Sequence, residues 1–151
     1  MEKQQGGHNT GRTVHSILYA EDDPDIREAL AEALSTAGYL VEAVSDGRQA
    51  LVSAVSNISH YDLLITDHQM PRMDGLTLVA NLRQADFPGW ILVLAGSIGH
   101  EARRRYSQFH VDGIIRKPFR LDELVVAVEA LFRQPRRSYH ERQKLHFPIQ
   151  P

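Results

Sequence analysis

No cysteine occurs in the 151 residues. That absence excludes disulfides, thiolate nucleophiles and cysteine-ligated zinc, and it fits a reducing compartment. Strong charge of either sign is missing too. The net charge is −2, so the chain as a whole advertises neither nucleic acid nor an acidic membrane as a partner. No apolar run approaches the ~18 residues that would cross a bilayer. The opening stretch, Met1 to Thr10, lacks the apolar centre of a signal peptide. The expected compartment is the cytoplasm. What remains is ordinary for a globular protein: 42% hydrophobic and 24% charged residues, in a length that suits one domain with one core.

Three segments are expected along the chain. Residues 1–15 are polar and glycine-bearing and read as a flexible leader, in which His8 and His15 are solvated rather than metal ligands. Residues 16–133 carry regular apolar patterning. Residues 134–151 form a proline-containing tail, and positions 133–144 hold five Arg or Lys against one Glu. The tail is too short for a helix-turn-helix, and a solvated basic tail is the plainer reading.

Inside the patterned segment, short apolar runs alternate with helical stripes. Ile17-Leu18-Tyr19-Ala20 is a buried-strand candidate, followed by Asp23 as a helix cap and Pro24 at the first helical position. The stripe Ile26, Ala29, Leu30, Ala33, Leu34 and Ala37 then runs to Gly38. Tyr39–Val44, Leu63–Ile65, Trp90–Ala95 and Gly113–Ile115 read as further strands. Between and after them come helices bearing Ala50, Leu51, Ala54 and Val55; Leu76, Val79, Ala80 and Leu82; Ala102, Tyr106 and Phe109; and Leu121, Leu124, Val125, Val128, Leu131 and Phe132. Five strands alternating with five helices argue an α/β fold with a parallel sheet covered on both faces.

Chemistry in such a sheet lies beyond the carboxyl ends of the strands. Three strands end in charged residues: Glu21-Asp22-Asp23 after the first, Asp67 after the third, and Lys117-Pro118 after the fifth. Singly, each has a plainer reading as a helix cap or a surface turn. If the first and third strands are neighbours, Glu21, Asp22 and Asp67 converge, and three carboxylates so placed repel one another. A hard divalent cation such as Mg²⁺ (or Mn²⁺) removes that conflict. Lys117 brings a compact positive charge from the other side. Metal and lysine around one carboxylate make a pocket for a phosphoryl group, with Asp67 as nucleophile.

The stretch Ile17 to Arg27, the stretch Asp67 to Gly75, and Lys117-Pro118-Phe119 together resemble the receiver domain of two-component response regulators. The resemblance covers about residues 16–133. It implies a flavodoxin-like doubly wound (βα)5 fold with five parallel strands in the order 2-1-3-4-5. It implies that Asp67 accepts a phosphoryl group from a sensor histidine kinase or histidine phosphotransfer protein. Glu21 and Asp22 match the acidic metal pair, Asp67 the phosphoacceptor and metal ligand, Gln69 the metal-binding backbone carbonyl, and Lys117 the phosphate-binding lysine. A cis bond between Lys117 and Pro118 is also implied.

Two positions depart from the family pattern. Ala95 stands where a Ser or Thr usually bonds the phosphoryl oxygen, and Ile114 where a Tyr or Phe usually swings inward. Ser97, in the loop Gly96-Ser97-Ile98-Gly99, is a substitute hydroxyl. The resemblance also makes the fourth helix, the fifth strand and the last helix a face for a downstream protein partner or a homodimer; Arg103-Arg104-Arg105 lies there, although a solvated basic triplet is its plainer reading. Gln69 and Ser97 would flank the water that removes the phosphoryl group. The resemblance implies a phosphoacceptor, standing alone or excised from a larger protein, rather than an enzyme. Two other readings stay open: a receiver-fold scaffold that is never phosphorylated, and a metal-dependent phosphatase. The latter usually has a second Asp where this chain has Gln69.

Overall fold

The computed structural model describes residues 13–135. The expected leader, apart from residues 13–15, and the tail beyond 135 lie outside the described residues. Ten elements alternate strictly: β1 Ser16–Ala20, α1 Pro24–Thr36, β2 Leu40–Val44, α2 Gly47–Ser56, β3 Leu63–Asp67, α3 Gly75–Gln84, β4 Trp90–Ala95, α4 His100–Gln108, β5 Gly113–Arg116 and α5 Leu121–Phe132. The strands form one parallel sheet in the order β2-β1-β3-β4-β5.

Alternate strand residues serve two cores. Leu18, Ala20, Leu64, Ile91 and Val93 face a layer with Ala50 and Ala54 of α2, Leu78, Val79 and Leu82 of α3, and Tyr106 of α4. Ile17, Tyr19, Leu63, Ile65, Leu92 and Leu94 face Leu30 and Leu34 of α1, with Leu124, Val128 and Leu131 of α5. Strands covered on both sides need apolar residues at every position, which is why β1, β3 and β4 read as unbroken runs.

Three aspartates start the helices that flank the site. Asp23 accepts from the amides of Asp25 and Ile26, Asp46 from Gln49, and Asp74 from Thr77. Each satisfies donors that a helix start leaves open, worth about 1 kcal/mol. Lys117-Pro118 is cis.

The helical stripes are narrower or shifted relative to the sequence reading. On α1 only Leu30 and Leu34 are buried, and Ile26 is 40% exposed, because a helix lying on a sheet buries only its central rows. Val55 and Leu121 are exposed for the same reason. On α3 the buried face is Leu78, Val79, Leu82 and Arg83. His15, assigned above to a flexible leader, is instead half-buried and stacks on Phe132 with ring centroids 4.0 Å apart.

Candidate functional site

The order β2-β1-β3 makes β1 and β3 neighbours, so their charged ends meet. Glu21, Asp22 and Asp67 each offer a carboxylate oxygen, and these oxygens lie within 4.8 Å of one another. Glu21 is buried at 1% exposure, Asp67 is buried as well, and Asp22 is exposed. Strand β5 lies two places from β3, and the chain beyond it brings Lys117 back across β4. Its Nζ stands 2.9 Å from Asp67 Oδ1 and 3.7 Å from Glu21 Oε2.

The backbone around these groups is fixed from several sides. The Lys117 amide donates to the Ala95 carbonyl at 2.8 Å. Arg27, one turn into α1, donates to the Glu21 carbonyl at 2.8 Å. The Asp23 amide donates to Glu21 Oε1 at 3.2 Å, and the Tyr19 hydroxyl reaches Glu21 Oε2 at 3.5 Å. After β3 the chain turns sharply to start α3. A Cβ on Gly75 would sit 2.3 Å from the Asp67 carbonyl oxygen, so only glycine fits this close approach.

Electrostatically the cluster is unbalanced. Burial, and then the Asp67 carboxylate, push Glu21 up to about 7, against the opposing pull of the Asp23 amide and Lys117. Burial alone would lower the Lys117 ammonium, but its hydrogen bond and charge contact with Asp67, followed by Glu21, raise it overall. Burial with the Glu21 and Asp67 charges pushes the Tyr19 phenol up. One ammonium thus serves two buried carboxylates that repel each other. An all-oxygen donor set with excess negative charge fits a hard divalent cation.

The remaining sequence candidates lie in the loops and elements around this cluster. Gln69 is exposed in the loop after β3. Ser97 is exposed too. It lines a cavity of about 210 Å³ with Ala95, Gly96, Ile98, Arg103, Ile114 and Arg116. Ala95 is buried, and Ile114 packs half-buried against the core layer that holds Tyr106. Arg104 pairs with Glu101 at 3.0 Å, while Arg103 and Arg105 are exposed.

Sequence reasoning missed a direct neighbour. His68 follows Asp67, and its Nδ1 lies 2.6 Å from the Tyr106 hydroxyl. Tyr106 was legible only as an inward residue of a helix, because nothing in the spacing of 68 and 106 marks them as partners.

Among the described residues no helix is long and apolar enough to cross a membrane. The family model for the response regulator receiver domain matches residues 17–129. Curated relatives include the response regulator MprA of Mycolicibacterium vanbaalenii, 38% identical over 120 residues, covering 78% of this chain and 50% of that protein. The transcriptional regulatory protein PrrA of Mycobacterium tuberculosis is 34% identical over 126 residues, covering 83% of this chain and 53% of that protein. The chain therefore spans about half the length of these relatives. Among solved structures, the chemotaxis protein CheY4 of Vibrio cholerae is similar, with a TM-score of 0.70 and 29% identity over 78% of this chain and 98% of that one. The non-phosphorylated HemR receiver domain of Leptospira biflexa gives 0.72 and 27%, over 83% and 99%. Strand order, the carboxylate cluster with its lysine, and these matches agree: the chain belongs to the response regulator receiver domain family of two-component signalling.

Proposed function

We propose that Asp67 accepts a phosphoryl group from a phosphohistidine on a sensor kinase or histidine phosphotransfer protein. An Asp67 carboxylate oxygen attacks phosphorus, the P–N bond breaks as the P–O bond forms, and the leaving imidazole takes up a proton. Charge on the transferring oxygens has to be neutralised as this happens, since positioning and electrostatics supply most of the catalysis in phosphoryl transfer. The observation that carries the reading is the Lys117 ammonium 2.9 Å from Asp67 Oδ1. Glu21, Asp22, Asp67 and the backbone carbonyl of Gln69 would hold Mg²⁺ (or Mn²⁺), which when bound offsets phosphoryl charge.

We take the receiver unit as residues 16–133, acting in the cytoplasm. Its output passes by protein contact at α4, β5 and α5, where Arg103 and Arg105 are exposed, and any self-association uses the same face. Ala95 supplies no hydroxyl to a phosphoryl oxygen, and Ile114 no aromatic ring, so the response to phosphorylation follows an atypical route. Hydrolysis reverses the modification: water attacks phosphorus and the bond to Asp67 breaks, with Gln69 and Ser97 flanking the water. Substitution of either changes the decay rate of the phosphoprotein; identical decay in both variants refutes that role.

The test is incubation with a small-molecule phosphodonor and Mg²⁺, read by intact mass, with Asp67→Asn alongside. The wild type gains one phosphoryl group; the variant gains none, nor does wild type without divalent cation. No gain, together with no Mg²⁺ binding, overturns the proposal. It would favour a scaffold that is never phosphorylated, the reading that the buried Ala95 and the Ile114 side chain support.

A further inference from the structure

Helix α4 is weakly tied to the rest of the molecule. Its N-cap, Gly99, makes no side-chain cap bond, and Tyr106 is its single buried residue. Few buried contacts mean a low cost of local displacement. Whatever holds Tyr106 therefore holds much of the helix.

What holds it leads straight to the phosphoacceptor. The fully buried Tyr106 places its hydroxyl 2.6 Å from His68 Nδ1, and the two rings meet edge to face with centroids 5.4 Å apart. The His68 amide is shared between the Leu94 carbonyl at 2.8 Å and Asp67 Oδ1 at 3.0 Å. That Oδ1 is also the oxygen that Lys117 approaches. The His68 carbonyl accepts from the Gly75 amide at 2.9 Å. One residue thus joins the carboxylate, the end of β4, the start of α3 and the inside of α4.

We propose that the His68–Tyr106 hydrogen bond carries the state of the Asp67 carboxylate to helix α4. Tyr106 is a positioning residue that acts on Asp67 through His68. The inference rests on the phosphoacceptor reading and names how that same site is coupled to the surface. Phosphorylation turns one carboxylate oxygen into the bridging oxygen of an acyl phosphate and adds a charged group beside it, so the His68 amide meets a changed acceptor. Movement of the His68 backbone carries the imidazole with it. The phenol has no water to turn to in its buried place, so letting go would leave a polar group unsatisfied. Following the imidazole is the cheaper course, and α4 has Tyr106 as its single buried residue. The aromatic group that β5 lacks at Ile114 is supplied here from α4. The coupling also runs backwards: a partner that displaces α4 changes how Asp67 holds its phosphoryl group.

The test uses the full chain, labelled with ¹⁵N, with amide shifts of residues 100–108 compared before and after phosphorylation by a small-molecule phosphodonor and Mg²⁺. Intact mass on the same samples reports Asp67 itself. Four proteins are compared: wild type, Tyr106→Phe, His68→Ala and His68→Asn. Tyr106→Phe keeps the ring and removes the hydroxyl, and His68→Asn keeps an acceptor near the position of Nδ1. All four gain phosphoryl mass on long incubation. The α4 shifts are largely lost in Tyr106→Phe and His68→Ala, and His68→Asn recovers most of the wild-type response. A merely structural tyrosine would give no such rescue at position 68. Undiminished α4 shifts in Tyr106→Phe overturn the inference, as does a phosphorylated wild type whose α4 amides do not move. If Tyr106→Phe does not fold, the contrast between His68→Ala and His68→Asn decides, and equal loss in both overturns the inference. A wild type that gains no phosphoryl mass removes the phosphoacceptor reading and the coupling together; the other failures remove the coupling alone.

Discussion

Arg83 and Lys117 are both cations drawn in from water, but their surroundings treat them differently. Arg83, buried near the end of α3, donates to the carbonyls of Phe87, Gly89, Phe109 and His110 at 2.9–3.2 Å, with Asp112 at 3.9 Å. Its donors are spread over two loops and tie them to α3. Among the described residues Lys117 finds no such shell of carbonyls; it stands between two carboxylates that repel each other. The arginine's fork is satisfied by fixed backbone groups, which suits a structural pin. A point charge shared by competing acids leaves room for further positive charge and for an incoming anion. Satisfied polarity builds the fold here, and unsatisfied polarity marks the site.

The comparison breaks most visibly at Lys117. Lys117→Met is expected to slow phosphorylation of Asp67 by about 10²–10³-fold, the usual scale for removing one charge-stabilising donor. Time-resolved intact mass measures it, and a rate within a factor of about two of wild type would put Lys117 outside the chemistry.

Arg83→Met should show the opposite profile. Stability falls by about 3–5 kcal/mol, because the Phe87, Gly89, Phe109 and His110 carbonyls lose the Arg83 donors and Asp112 loses a nearby cation. Urea unfolding reads this loss, and Mg²⁺ does not restore it. Stability lost in Lys117→Met, by contrast, is recovered by Mg²⁺, which supplies the missing positive charge. Equal rescue of the two variants would erase the distinction.

A smaller effect follows from Glu21. Its carboxyl titrates near 7 in the folded protein against an ordinary 4.5. Between those values the folded state binds more protons than the unfolded one, so metal-free stability falls as pH rises through the window. The size is about 1–3 kcal/mol. Urea midpoints in chelator at the two ends of the window should show that slope in wild type and a flatter one in Glu21→Gln. The same slope in both would mean that other groups carry it. The smallest effect expected is that of a purely local loss: Asp74→Ala removes the cap on the Thr77 amide and costs about 1 kcal/mol, read by thermal unfolding.

Most of the fold was open to sequence reasoning because its rules are local. Unbroken apolar runs in β1, β3 and β4 follow from burial on both faces, and Asp23-Pro24 and Asp46-Gly47 announce the helices they start. Arg83 shows where such reasoning stops. A charged residue on a helix reads as exposed, yet it is buried, and its partners are carbonyls of loops up to 27 residues away. Backbone acceptors have no sequence signature. Asp74 escapes such reasoning for a related reason, since one more acid in a polar loop is indistinguishable from a solvated one.

The sequence by itself determined the alternation of strands and helices and the strand ends that carry Glu21, Asp67 and Lys117. Each depends on residue type and short-range spacing, which the chain states directly. Only the tertiary structure decided that Glu21, Asp22 and Asp67 come within 4.8 Å of one another, that Lys117 sits nearer Asp67 than Glu21, and that His68 meets Tyr106. Those outcomes depend on strand order and on the seating of α4 against the sheet. Distances between residues far apart in the chain are set by packing of the whole domain, and no local pattern encodes them.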